Sequence, residues 1–156
     1  MSPGTVLEVL VNALRTSGIT DILWGEEHSP YYDQVPEPSP AFPYVVIELP
    51  DSEVAHTFGG DYPPQTEVLS PYLETYRPAF HVYHEEGFSV SPYLLGTVLR
   101  FLDSFRDHPE ALNGTGFDVI QFTRQSWALN REPIRAPDGG RVWVANATYA
   151  LMVNTR

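Results

Sequence analysis

The chain has 156 residues, of which 42% are hydrophobic, and this length and composition predict a single domain, 1–156, with its own hydrophobic core. It contains no cysteine, which excludes disulfides, thiolate metal ligands and a cysteine nucleophile. All nine basic residues are arginines, against 20 acids, and the net charge of −11 argues against a DNA-binding domain, because proteins bind nucleic acid mainly by neutralising its phosphates.

The first third of the chain predicts one short helix followed by a proline-rich loop. Apolar residues recur at helical spacing after Ser2-Pro3, which is typical of a helix start, and Gly18 is expected to end the helix. Residues 25–43 hold five prolines and several acids, a composition that disfavours both helix and strand, so we expect an extended loop there. No segment is long and apolar enough to predict a membrane span or a secretion signal.

The middle of the chain predicts three strands. Residues 44–49 and 54–58 are apolar and flank the turn-forming residues Pro50-Asp51-Ser52, which indicates a hairpin. A second proline-rich loop is expected at 60–73. The alternation over 74–84 then predicts a third strand, in which Pro78 suits an edge position or a bulge.

The last third predicts a long helix and a strand pair. Ser91-Pro92 is typical of a helix start, and apolar residues at helical spacing extend it to about residue 107. Residues 118–129 and 141–154 alternate as strands, joined by a loop over 130–140 that is longer than a tight hairpin requires. The expected fold is α/β in the broad sense (α+β): one mainly antiparallel sheet, element order α-β-β-β-α-β-β, with the long helix on the face that bears Trp143, Tyr149 and Leu151.

A search for catalytic and metal-binding motifs predicts neither an enzyme nor a cofactor site. His81 to Glu86 crowd imidazoles and carboxylates together, but His81 and His84 are three residues apart on a predicted strand and so face opposite sides. Gly-x-Ser-x-Gly and a lysine-bearing phosphate loop are both missing. Two alternatives stay open: a small metal-dependent enzyme or ligand-binding domain built on the His81–Glu86 cluster, and a bacterial protein-interaction module.

The order of elements, with an apolar strand after a proline and a long final hairpin, resembles that of the tail-terminator and tail-completion proteins of long-tailed phages and phage-like particles. The segments that carry the likeness are Pro43–Glu48, Arg141–Ala145 and Tyr149–Val153. The resemblance implies a ring, usually a hexamer, that caps the tail tube and joins it to neck and head-completion proteins, with DNA passing through unbound. It implies a location in the virion tail or neck, and in the host cytoplasm during assembly. Whether the chain is a terminator, a neck adaptor or a diverged relative with another tail-completion role stays open.

The charge is distributed unevenly along the chain. Residues 21–86 hold 13 acids and one Arg, whereas residues 121–156 hold five Arg and two acids. A ring joins one patch to a different patch on the next copy, and patches of opposite sign meet that need. We therefore predict that Arg131 and Arg135 form a subunit interface with the acidic hairpin or proline-rich loop of a neighbouring copy. The same arginines would otherwise line a lumen and touch phosphate, or be solvated.

Overall fold

A computed structural model describes residues 3–19, 31–32, 42–49, 52–56, 72–136 and 139–155. They confirm a mixed α+β fold with two helices and a mainly antiparallel sheet. The helices are α1 (Pro3–Arg15) and α2 (Ser91–Asp103). The strands are β1 (Tyr31–Tyr32), β2 (Tyr44–Glu48), β3 (Ser52–His56), β4 (Tyr72–Tyr76), β5 (Ala79–His84), β6 (Phe117–Leu129), β7 (Ile134–Arg135) and β8 (Arg141–Thr155).

The long strand β8 is the centre of the sheet. Strands β6 and β7 pair with one of its edges, and β4 and β5 pair with the other. β4 and β5 follow one register along β8, from Leu73 opposite Asn154 to His84 opposite Trp143. The predicted strand over 74–84 therefore exists but starts at Tyr72, and it is interrupted at Arg77-Pro78, where the proline has no N–H for the ladder.

The predicted hairpin of residues 44–49 and 54–58, which correspond to β2 and β3, is wrong. β2 pairs with β5 and, in parallel, with β1, whereas β3 pairs with β4. Turn residues and two apolar runs favour a hairpin locally, but here each run pairs with a different half of the 72–84 strand. The first proline-rich loop, expected at 25–43, includes the strand β1; its other residues before Phe42, and those of the second loop before Tyr72, lie outside the described residues.

One core joins the two helices to the sheet. From β8 it takes the alternating residues Ala145, Ala147, Tyr149, Leu151 and Val153, which share one face of the strand. The helices contribute Val6, Leu10, Val11, Leu14, Leu95, Val98 and Leu102. Trp143 extends this row but is only partly buried, and its ring stacks on that of His84 with centroids 6.3 Å apart.

The helix α2 is shorter than the predicted span of 91–107. It ends at Asp103 and continues as a 3₁₀ turn over Ser104–Arg106. The Ser104 hydroxyl donates to the carbonyl of Phe101 at 2.5 Å, a local bond that competes with the helical pattern and tightens its last turn. Asp103, the last residue of α2, reaches the sheet, where its carboxylate accepts a hydrogen bond from the Tyr149 hydroxyl.

Candidate functional site

Arg131 and Arg135, the residues expected to form an interface, lie at one end of the β6–β8 hairpin. Both side chains are exposed. The expected long loop over 130–140 is wrong in part, because β7 lies within it and continues the pairing with β8. We call residues 131–136 together with 139–142 the hairpin tip.

A tight turn fixes the geometry of the hairpin tip. The Ala136 N–H donates to the Gly140 carbonyl, and the Gly139 N–H donates to the Ala136 carbonyl, both at 2.9 Å. Gly139 has φ of 89°, a left-handed conformation that glycine adopts without strain. This turn sets the register of β7 on β8 and places Arg135 directly opposite Arg141.

The facing pair makes Arg141 a third member of the site. Like charges directly opposite each other in an antiparallel pair are destabilising. The carboxylate of an anionic partner would relieve that repulsion, and arginine binds carboxylates in a planar, two-pronged geometry. Glu132 is the single acid among the described residues of the hairpin tip. Sequence reasoning missed Arg141 because its partner follows from the turn register, for which Gly139-Gly140 was the available signal.

Arg131 is held by an aromatic ring of its own chain. Its guanidinium carbon lies 5.6 Å from the ring centroid of Phe88, at the start of the 3₁₀ turn that precedes α2. A cation above a ring face at this distance is attracted by the ring quadrupole. The contact orders a charge that otherwise has free rotamers, while the side chain stays open to solvent.

Arg124, the fourth arginine of this region, contributes to internal packing instead. It lies 3.6 Å from an Asp103 oxygen, and each of the two side chains is 38% exposed. The other Asp103 oxygen accepts the Tyr149 hydroxyl at 2.6 Å. Burial, and then the bond to Asp103, raise the pKa of Tyr149 above its usual range. These contacts bind the end of α2 to the hairpin.

The His81–Glu86 segment does not assemble a ligand set around its two histidines. His84 is fully buried on the helix-covered face, and His81 lies on the other face beside Asn146, as their spacing predicted. The His81 Nδ1 is 2.5 Å from the Asn146 amide oxygen, and its Nε2 is 3.4 Å from a carboxylate oxygen of Glu48. Within the described ranges, no three His, Asp or Glu side chains are placed to share a metal ion.

His84 and Ser91 form a buried pair in which the histidine nitrogen next to the serine carries a proton, the opposite of what nucleophilic catalysis requires. The backbone N–H of Glu86 donates to His84 Nδ1 at 3.3 Å, so the neutral ring carries its proton on Nε2. That nitrogen lies 2.6 Å from the Ser91 hydroxyl and donates to it. Burial lowers the pKa of His84, although the Glu86 carboxylate opposes the shift. A base must accept the serine proton, and this nitrogen already holds one.

The acidic side of the expected interface is described only in part. Glu48, Glu85 and Glu86 are exposed, whereas Glu74 is partly buried and accepts the Tyr76 hydroxyl. Most other acids of residues 21–86 lie outside the described residues. For the helices that are described, neither is long and apolar enough to cross a membrane.

No family model matches the chain, and no curated protein matches it. The fold and the charges of the hairpin tip are therefore the features that bear on function.

Proposed function

We propose that this protein is a ring-forming subunit of a phage-type tail, a tail terminator or a closely related head–tail connection protein. The observation that carries the proposal is the hairpin tip, where Arg131, Arg135 and Arg141 are exposed on a chain whose net charge is −11. The α+β fold and the final hairpin are consistent with the resemblance on which the proposal also draws.

A closed ring places a specific requirement on the surface of its subunits. Each copy must present two different surfaces, one for each neighbour, and opposite charge makes the two surfaces attract each other and repel themselves. Residues 21–86 carry 13 acids and one Arg, and the hairpin tip carries three arginines. We infer that the hairpin tip of one copy binds the acidic region of the next.

The net negative charge also suits the path of DNA through such a ring. DNA carries one negative charge per about 1.7 Å of its axis, and an acidic lumen would repel it rather than hold it. Tail-tube and neck proteins would then be the partners above and below the ring, in the virion and, before that, in the host cytoplasm. No sequence-specific DNA binding is expected, and none of the described residues favours the metal-dependent enzyme as a second candidate.

Charge reversal at the hairpin tip tests the proposed interface. The double variant Arg131→Glu, Arg135→Glu should stay monomeric in light scattering, while the parent forms oligomers that weaken as salt shortens the Debye length to about 3 Å near 1 M. The matched control is Arg100→Glu, Arg106→Glu, which changes the charge equally at two exposed arginines outside the hairpin. Assembly of the tip variant like that of the parent would contradict the interface.

The terminator role itself predicts a tail-tube gene beside this chain's gene, and it is tested on growing tubes of that tail-tube protein. We expect addition of the chain to stop growth and to leave a ring visible at one tube end by electron microscopy. Tubes of unchanged length without terminal density would refute the role, whatever the oligomeric state of the free chain.

A further inference from the structure

The outer edge of β6 is paired with no other strand that the structure describes. β6 has 13 residues and pairs with β8 along one edge, and no described strand pairs with the other. The first part of this edge is partly covered, because the Val119 N–H donates to the Asn113 side-chain oxygen at 2.6 Å. Where a strand edge is uncovered, its unpaired N–H and C=O groups can bind other chains. Two register shifts, between Val119 and Gln121 and between Arg124 and Ser126, interrupt the first part of the strand and protect it.

The last part of β6 lacks that protection. From Ser126 to Leu129 each residue lies opposite one residue of β8 without a shift. The Asn130 N–H donates to the Val144 carbonyl, and in an antiparallel pair the inward-facing residues alternate. The backbone N–H and C=O of Ala128 therefore point toward β8. Those of Trp127 and Leu129 point outward, away from β8. Two residues with this spacing form the docking pattern for one additional strand.

Trp127 supplies a side-chain anchor at the same place. It is 55% exposed, although tryptophan is among the residues that contribute most to interfaces when buried. No acid occurs in residues 119–131, and the segment includes Arg124 and Arg131. The edge therefore suits an acidic extended strand.

Charge also decides between two ways in which copies of the chain could use this edge. Antiparallel pairing of β6 with β6 sets outward-facing residues opposite each other, for example Trp127 of one copy opposite Leu129 of the other. Residues 119–131 contain no acid, so the strand of the second copy would offer Arg124 and Arg131 no opposite charge. β3 is a different edge: it pairs with β4, and no other described strand pairs with it. It carries Glu53, and Glu48 and Asp51 precede it in the sequence.

We propose that the end of β6, from Ser126 to Leu129, binds β3 of a second copy by strand addition, so that the sheets of neighbouring subunits are continuous. This inference rests on the proposed ring and names the surface that joins its members. β3 and β6 lie on opposite sides of the sheet's centre, so the contact is head-to-tail and can propagate around a ring.

Two blocked variants, each of which disables one of the two strand edges, test the pairing. Trp127→Ala should weaken self-association about 30-fold, the effect of losing one aromatic anchor, and Glu53→Arg should weaken it comparably. Tyr93→Ala, at a 77% exposed aromatic on α2, is the matched control and should assemble normally. Mixing the two blocked variants leaves one intact β6 edge and one intact β3 edge. The mixture should therefore form 1:1 heterodimers and nothing larger, as measured by sedimentation and native mass spectrometry.

Amide exchange in the full chain gives an independent readout. On assembly, the Trp127 and Leu129 amides should slow at least about tenfold, while the Ala128 amide, already bonded to β8, should be protected before and after. Normal assembly of the Glu53→Arg variant, or oligomers whose Trp127 and Leu129 amides still exchange freely, would overturn the strand pairing. If the parent chain stayed monomeric at NMR concentration and low salt, the strand that binds the β6 edge would not be β3 of a second copy. The tube-capping experiment decides the terminator role separately in each of these cases.

Discussion

The Tyr149 hydroxyl is one of the two polar contacts with Asp103 through which the hairpin binds the end of α2, and its removal is a direct test of that packing. Tyr149→Phe deletes one oxygen and leaves the ring in place. The ring keeps its stack on Phe122, with centroids 4.8 Å apart, and its edge contact with Phe80 at 5.7 Å. Any loss of stability therefore reports the bond to Asp103 rather than a cavity.

The size of the loss follows from the surroundings of Asp103. A hydrogen bond to a charged group contributes about 1.5–3 kcal/mol to stability. Asp103 is 38% exposed and keeps Arg124 at 3.6 Å, so water and the guanidinium can compensate for part of the lost bond. We expect a fall of about 1.5 kcal/mol in the free energy of unfolding. For a domain of this size, that corresponds to a decrease in Tm of about 3–6 °C.

Urea titration followed by circular dichroism measures this value, and the slope m should not change, because the buried surface is the same. Tyr93→Phe, which removes an exposed hydroxyl, is the control and should be neutral within about 0.5 kcal/mol. Because the folded state raises the pKa of Tyr149, its contribution is complete below pH 10 and is lost as pH rises further. The variant should therefore lose less stability above pH 10 than the parent. A fall below about 0.5 kcal/mol would show that the Tyr149–Asp103 bond does not hold α2 to the hairpin.

Two further outcomes test the core and the buried histidine. Leu102→Ala should lower the free energy of unfolding by about 2–5 kcal/mol in urea titrations, because Leu102 is fully buried. Leu99→Ala should lower it by less, because Leu99 is only partly buried. Equal losses for the two variants would contradict this placement of α2. Burial lowers the pKa of His84, so the unfolded state takes up a proton first, and stability should decline as pH falls below about 6.5. His84→Gln should flatten that decline, and an unchanged pH profile would show that His84 does not titrate in this window.

The alternating face of β8 was predictable from the sequence because a strand buried on one side has to place its apolar residues at every second position. The buried residues from Ala145 to Val153 follow that rule, and so does the separation of His81 from His84. Val142 and Val144, on the other face near the start of the strand, are also buried and depart from it. Pairing between distant strands obeys no such local rule. The choice of β5 over β3 as the partner of β2 depends on the register of the whole 72–84 strand along β8.

The hairpin tip also has some features that could be predicted from the sequence and others that could not. The positions of Arg131 and Arg135 near its end follow from counting charges along the sequence, but their surroundings do not. The strand β7 contains two residues, too few for any periodic pattern, and it pairs because the turn at Gly139 closes. Phe88 beneath Arg131 comes from a segment more than 40 residues earlier in the chain, a contact that no spacing rule reveals.

The arginines of this chain are not interchangeable, and their differences bear on what a charge map can predict. Arg124 is engaged by Asp103 and Arg131 by Phe88, whereas Arg135 and Arg141 face each other across a strand pair. A facing pair held by backbone hydrogen bonds keeps two cations close together, and an anionic partner would relieve their repulsion. With no lysine in the chain, every cation at the hairpin tip has the planar form that binds a carboxylate through two parallel bonds. The Arg135–Arg141 pair is thus the part of the positive region whose charge the described fold leaves uncompensated, and it is where a carboxylate from another chain would gain most.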